Sequence, residues 1–154
     1  MPTLYAADHL EGALSETIFR AIPFRGPDKR LERSALNSIV ASTLTCTRDL
    51  ILAQLFGFGL RRLGVSRLEL IEADSDQYGR TAAWAKAIHE CDEGIDGMIW
   101  VSRQNDGTRS LLLFGDRVPV TTLRTSGSPT PLFEGSGYDD VLIAADRAGI
   151  LIVG

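Results

Sequence analysis

The sequence predicts a single α+β domain in which a mostly antiparallel central sheet is flanked by helices. Short runs of β-branched and aliphatic residues recur along the chain, and several segments carry apolar residues at helical spacing. The turn signal Asn105-Asp106-Gly107 separates two of the β-like runs. A turn of this kind indicates a β-hairpin, and hairpins combined with two or three helices are typical of α+β domains.

The first elements are predicted to be a short strand and a helix. Residues 4–7 form the strand, and Asp8 is a helix N-cap whose capping box is completed by Glu11. The helix is predicted over residues 9–20, and Pro23 ends it. Its apolar stripe consists of Leu10, Ala13, Leu14, Thr17 and Ile18.

The middle of the chain predicts a charged loop over residues 24–37 and a strand over residues 38–45. Residues 50–63 contain Gly57-Phe58-Gly59 and predict a short helix or turn. This segment is not a phosphate-binding loop, because no Lys-Ser/Thr pair follows the glycines. A longer helix is predicted over residues 77–91.

The last third is predicted to begin with the hairpin, whose strands cover residues 97–103 and 109–114. After it we expect a strand over 118–123, a surface loop rich in Gly, Ser and Pro over 126–136, a short helix over 138–147 and a closing strand over 150–153. There is no internal repeat and no sign of a second domain, so residues 1–154 are interpreted as one domain.

Composition and charge narrow the class of protein. The chain is 44% hydrophobic and 23% charged, as globular domains are, and no run approaches the roughly 20 apolar residues that span a bilayer. A net charge of −4 argues against direct nucleic-acid binding. Cys46 and Cys91 are expected to be buried and reduced. Because no signal-peptide pattern opens the chain, we expect a cytoplasmic protein without membrane contact.

Few residues indicate chemistry on their own. His9 and His89 lack a metal-ligand pattern, so no metal site is predicted. Glu16 faces away from the apolar stripe of the first helix and is either a functional carboxylate or a surface partner of Arg20 one turn later. Ser102 lies in a predicted strand, where a serine is commonly just a tolerated polar residue.

Several segments, considered together, have the order and spacing of a known family. They are Leu4-Tyr5-Ala6-Ala7 with Gly12-Ala13-Leu14-Ser15-Glu16, the stretches 47–50 and 60–65, the central helix 78–85 with Ile88-His89, the Asp-Gly strand 94–103 that ends in Ser102, and the strand 111–114. Over about residues 4–116 the chain resembles the RES-domain family, the toxin half of Xre–RES toxin–antitoxin modules. The family is named for an arginine, a glutamate and a serine. Glu16 and Ser102 match the last two, whereas the arginine that precedes the family tyrosine has no counterpart here, so we expect the N-terminal edge of the domain to be missing.

The resemblance implies an ADP-ribosyltransferase-like fold that degrades NAD at the nicotinamide N-glycosidic bond, with water or phosphate as acceptor. NAD is then a substrate, and no cofactor is expected. In this scheme Glu16 stabilises an oxocarbenium-like ribose, Tyr5 stacks on nicotinamide, and Ser102 orients Glu16 or the nicotinamide amide. Arg80 is either a further cation that approaches the substrate or a partner in a surface salt bridge. We therefore expect Tyr5, Glu16 and Ser102 within about 15 Å of one another around one cleft.

Two alternatives to NAD degradation stay open. One is a transferase that places ADP-ribose on a protein and uses the same Glu16 and Tyr5. The other is a non-catalytic remnant that only binds its antitoxin, because the family arginine is absent. The expected partner is an Xre-type antitoxin with a helix-turn-helix part, through which any contact with DNA would be indirect. The sequence leaves homo-oligomerisation open.

Overall fold

The computed structural model describes residues 2–71 and 78–154, without the side chains of residues 78–81, and it has the predicted α+β architecture. The strands are β1 (Thr3–Ala7), β2 (Arg30–Glu32), β3 (Val40–Cys46), β4 (Leu52–Gln54), β5 (Gly97–Val101), β6 (Arg109–Phe114), β7 (Leu123–Pro131) and β8 (Leu151–Val153). The α-helices are α1 (Leu10–Glu16), α2 (Phe58–Leu63), α3 (Arg67–Leu70), α4 (Tyr78–Cys91) and α5 (Gly135–Ala148).

The main sheet has the strand order β1-β6-β5-β4. β6 is antiparallel to both β1 and β5, which confirms the predicted hairpin, whereas β4 is parallel to β5. Residues directly opposite each other in neighbouring strands share a face of the sheet. The register therefore places six side chains on one face, in two rows: Tyr5, Leu112 and Met98, then Ala7, Ser110 and Trp100.

Two clusters of apolar side chains form the core. The first lies between α1 and α5 and is centred on Leu14 and Val141, which are 1% and 0% exposed. The second lies between α4 and the main sheet and includes Ile88, Met98 and Phe114. Helix α1 packs against α5 on one side and against β1 and β6 on the other, so it lies between the first core cluster and the main sheet.

The N-terminus of α1 differs from the prediction. His9 is the N-cap and no side chain caps the helix. Asp8 instead accepts a hydrogen bond from the Arg109 N–H at 2.9 Å, and Glu11 pairs with Arg147 of α5. The predicted capping box is therefore wrong, because both acidic side chains are engaged by residues distant in sequence.

α1 is also shorter than predicted and ends at Glu16 instead of residue 20. The Thr17 hydroxyl donates to the Ala13 carbonyl at 2.6 Å, and the Phe19 N–H donates to the Leu14 carbonyl across a wider turn. This turn carries Phe19 into the first core cluster, where it is 8% exposed. Burial of the aromatic ring thus prevails over continuation of the helix.

The segment 126–136 was predicted to be a surface loop, and this is wrong for most of it. β7 runs through it and pairs antiparallel with β3, while the predicted strand at 118–123 is mainly a 3₁₀ turn at Val120–Thr122. The pairing shifts register between Ala41 and Thr43, and Gly127 has a φ of 78°. A two-stranded ribbon with a bulge tolerates the glycine and prolines that indicated a loop.

Two smaller differences follow from pairing and exposure. The segment 24–37 was predicted to be a loop throughout, but it contains β2, which pairs in parallel with β8. Cys46 and Cys91 are exposed and form no disulfide, so the prediction that they are buried is wrong. Each ends its element, β3 or α4, at the surface.

None of the described helices is long and apolar enough to cross a membrane.

An ion pair fixes the start of β5. Arg48 donates two hydrogen bonds to Asp96, at 2.8 and 2.6 Å, and the Ile51 N–H donates a third at 2.9 Å. The Arg48 guanidinium holds the pKa of the Asp96 carboxyl below its usual range, so this buried side chain is ionised at neutral pH. The strand that leads to Ser102 is therefore anchored at Asp96, the residue directly before it.

Candidate active site

Glu16 lies at the end of α1 and faces away from the core that buries Leu14. Its Oε1 atom accepts two hydrogen bonds, from the Ser102 hydroxyl at 2.6 Å and from the Arg103 N–H at 3.0 Å. The other carboxylate oxygen, Oε2, accepts no hydrogen bond from the described residues. One oxygen is thus fixed by the protein through Ser102 and Arg103.

Ser102 lies just past the end of β5 and is 0% exposed. Its Oγ accepts the N–H groups of Gln104 and Asn105, each at 3.1 Å, besides donating to Glu16. A serine hydroxyl has one hydrogen to donate and two lone pairs. Because both lone pairs are used by the turn, the hydrogen must point at Glu16. The turn of the hairpin therefore sets the direction of this bond.

A cavity of about 480 Å³ opens beside Glu16. Its floor is the face of the main sheet that carries Tyr5, Ala7, Met98, Trp100, Ser110 and Leu112. α1 contributes Ala13, Glu16 and Thr17 to one wall, and α4 contributes Trp84 to another. A volume of roughly 300–1,000 Å³ with apolar walls and a few polar groups is typical of ligand sites.

The structure brings together three of the four residues singled out in the sequence. Tyr5 and Glu16 line the cavity, and Ser102 is buried directly behind Glu16. Tyr5 is 60% exposed and stands at the mouth. Arg80 belongs to the first turn of α4, but its side chain lies outside the described residues.

The alternative of a surface Glu16–Arg20 pair does not agree with the structure. α1 ends at Glu16, so Arg20 is not one helical turn further on, and the described residues show no ion pair between the two. Ala13 and Thr17, predicted to belong to the apolar stripe, line the cavity with Glu16 instead. The face of α1 that carries Glu16, which the sequence suggested to be exposed, therefore forms part of the cavity wall.

Four polar or aromatic groups of the cavity were missed in the sequence. Arg20 and Arg103 add positive charge to its wall, Ser110 adds a hydroxyl to its floor, and Trp84 adds an aromatic wall. Arg103 follows Ser102 directly and was within the family segment. The register of the predicted hairpin could have indicated Ser110 and Trp100 as neighbours on one face of the sheet, because it pairs these two residues.

The described residues contain no cluster of three or more His, Cys, Asp or Glu side chains that could hold a metal ion. A family model described as the RES domain matches residues 1–132 of the chain. This match extends past the segment 4–116 that carried the resemblance and includes β7. No curated protein and no solved structure gives a significant match.

Proposed function

Since this chain belongs to the RES-domain family, we propose that it is a toxin that degrades NAD by cleaving the nicotinamide N-glycosidic bond, through hydrolysis or phosphorolysis. The observation that carries the proposal is the Glu16 carboxylate, held by Ser102 and Arg103 at the wall of a largely apolar cavity. The ADP-ribosyltransferase-like character of the fold is part of the same proposal.

The chemistry places specific demands on such a site. When the bond breaks, its electron pair leaves with the pyridine nitrogen, which becomes neutral, and positive charge builds on the ribose. The acceptor oxygen then bonds to the same ribose carbon, and with water as acceptor a proton is released to solvent. A fixed negative charge beside the ribose stabilises this transition state, and more so away from bulk water.

Glu16 has the properties that this role requires. Its Oε1 is already oriented by two donors, so little reorganisation is needed during the reaction. Its Oε2 accepts no hydrogen bond from the described residues, and in this proposal it faces the ribose. Tyr5, on the cavity floor and at its mouth, offers an aromatic face on which a base can stack.

The two arginines of the wall suit the rest of the dinucleotide. NAD carries a pyrophosphate, and guanidinium groups bind phosphate oxygens with bidentate geometry. Arg20 and Arg103 lie on the same wall region as Glu16. We therefore assign the pyrophosphate to this side of the cavity, although the chain as a whole is acidic at −4.

Incubation of the purified protein with NAD tests the proposal. We expect nicotinamide to be released, as measured by chromatography and mass spectrometry. The second product should be ADP-ribose in phosphate-free buffer, or a phosphorylated ADP-ribose when phosphate is the acceptor. ADP-ribose attached to added protein instead would favour the transferase alternative. Intact NAD under all of these conditions would leave the chain as a binding remnant.

We also propose that the partner is an Xre-type helix-turn-helix antitoxin that covers the mouth of the cavity. A second depression, lined by Arg67, Leu68, Arg103 and Asp106, shares Arg103 with the cavity, and Leu68 is 67% exposed. A protein seated there would bury the apolar side chain and block entry of NAD.

Co-expression with an Xre-type helix-turn-helix antitoxin is expected to give one complex on a sizing column. Leu68→Asp should weaken that complex at least about tenfold, because it puts a charge into the buried centre of the interface. The matched control is Leu142→Asp on the distant helix α5, which is also exposed and should leave the complex unchanged. Separate elution of the two wild-type proteins would refute the toxin–antitoxin proposal.

A further inference from the structure

Ser110 stands out on the cavity floor because its hydroxyl has no hydrogen-bond partner among the described residues. The residue is 4% exposed and is the second residue of β6, between Leu111 and the exposed Arg109. Its cross-strand neighbours on the same face are Ala7 and Trp100, a methyl group and an indole ring. Buried hydroxyls are nearly always paired, so an unpaired one that lines a cavity indicates a missing ligand.

The fold itself gives no reason for a hydroxyl here. The strand continues as Leu111-Leu112-Leu113, and an aliphatic residue at 110 would avoid the cost of burying an unpaired oxygen. The other buried polar side chains around the hairpin are used within the protein: Ser102 bonds Glu16, and Thr108 donates to the Asn105 carbonyl at 3.0 Å. Ser110 is the exception among them.

We propose that the Ser110 hydroxyl is the specificity contact for the leaving group, and that it hydrogen-bonds the carboxamide of nicotinamide. This inference rests on the proposed function. A hydroxyl both donates and accepts, which matches the C=O and the NH₂ of a primary amide. Met98, Trp100 and Leu112 around it provide the apolar surroundings that a pyridine ring prefers.

The position of Ser110 relative to Glu16 agrees with this assignment. Ser110 follows Thr108 by two residues, and the Thr108 carbonyl accepts the N–H of Ser102, the residue that holds Glu16. The hydroxyl proposed to recognise the base and the donors that hold the Glu16 carboxylate thus lie on the same hairpin, whereas the carboxylate itself comes from α1. The charged pyrophosphate is the poorer fit at Ser110, because none of the described cations is hydrogen-bonded to its hydroxyl and its cross-strand neighbours are apolar.

Binding of small pyridines to the purified protein tests the assignment without any need for turnover. The probes are nicotinamide, which has the carboxamide, and pyridine, which lacks it, each titrated by NMR. We expect the wild-type protein to prefer nicotinamide at least about tenfold, since a site built around a hydrogen bond rejects a ligand that cannot make it. Ser110→Ala should abolish this preference and leave the affinity for pyridine unchanged.

A matched pair of variants separates the hydroxyl from the volume of the side chain. Ser110→Thr and Ser110→Val each enlarge residue 110 by a similar amount, but only the threonine retains a hydroxyl. We expect the threonine variant to keep the preference for nicotinamide and the valine variant to lose it. Because the Ser110 hydroxyl makes no bond within the described protein, Ser110→Ala should have a Tm equal to or above that of the wild type.

The possible results separate this inference from the proposed function. If the wild-type protein does not prefer nicotinamide, or if Ser110→Ala prefers it equally, the assignment of Ser110 is wrong even when NAD is degraded. A loss of ADP-ribose affinity in Ser110→Ala, with the nicotinamide preference intact, would place Ser110 at the other half of the dinucleotide and also overturn the assignment. If the preference depends on Ser110 but NAD stays intact, the pocket assignment holds and the proposed enzymatic activity fails.

Discussion

Glu16→Gln is expected to lower the rate of NAD cleavage by about 10²–10³-fold or more while leaving the fold intact. The substitution keeps the size of the side chain and removes the negative charge that stabilises the developing positive ribose. A glutamine at position 16 retains a carbonyl oxygen that accepts from Ser102 and Arg103, which now hold Oε1. The variant therefore tests charge at nearly constant geometry.

The same helix supplies a control for this experiment. Glu11 also lies in α1 and pairs with Arg147 on the side that faces α5. Glu11→Gln removes one negative charge from the protein, as Glu16→Gln does, but at a partly exposed ion pair. We expect no change in rate and a loss of stability well under about 1 kcal/mol. Nicotinamide release is the measurement for both variants.

Equal rates for the wild type and Glu16→Gln would remove Glu16 from the catalytic machinery. Equal losses in Glu11→Gln and Glu16→Gln would indicate that the total charge of α1, rather than the carboxylate at the cavity, affects the rate. Circular dichroism and a thermal melt of each variant establish that both remain folded. Only a selective loss in Glu16→Gln agrees with the proposed role.

Local signals in the sequence predicted the elements that depend on local interactions. The hairpin follows from its turn residues, and the helices at 78–91 and 135–148 were predicted within three residues at each end. The strand β1 was predicted within one residue. These elements contain the periodicity or turn residues that define them, so distant contacts were not required to recognise them.

The elements that were missed depend on contacts between distant residues. β7 was predicted to be a loop because it contains Gly127 and two prolines, but pairing with β3, about 80 residues earlier, stabilises it as a strand. α1 was predicted to be too long because the sequence does not show that Phe19 enters the core. In both cases tertiary packing prevails over local preference.

The candidate site depends even more on distant contacts. Glu16 and Ser102 are separated by 86 positions, and neither has a local pattern that indicates the other. The family resemblance predicted that Glu16 and Ser102 share one site, whereas composition and residue spacing alone did not. The contribution of Arg103 to Glu16 comes from its backbone N–H, which every residue except proline possesses. The role proposed for Ser110 depends on what surrounds it, which only the assembled sheet reveals.

Ser102→Ala is expected to lower kcat by roughly 10- to 100-fold while changing KM little, because Ser102 is a positioning residue. It is 0% exposed and, unlike Glu16, does not line the cavity, so we expect it to affect the reaction only through the carboxylate. Without the hydroxyl, Oε1 keeps only the Arg103 N–H, and Glu16 can turn away from its fixed position. A misplacement of about 1 Å in a reacting group costs on the order of 10²-fold in rate.

The substitution also affects stability, and a second variant separates the two effects. Ser102→Ala leaves the N–H groups of Gln104 and Asn105 without their acceptor, at a cost of about 1–3 kcal/mol. Thr108→Val in the same turn removes a buried hydroxyl that donates to the Asn105 carbonyl and does not touch Glu16. We expect it to lower the Tm comparably and to leave kcat unchanged. Two results would contradict this role: a folded Ser102→Ala protein that keeps its kcat, or a Thr108→Val protein whose kcat falls as far. Either would mean that the Ser102 hydroxyl stabilises only the turn and that Glu16 is positioned without it.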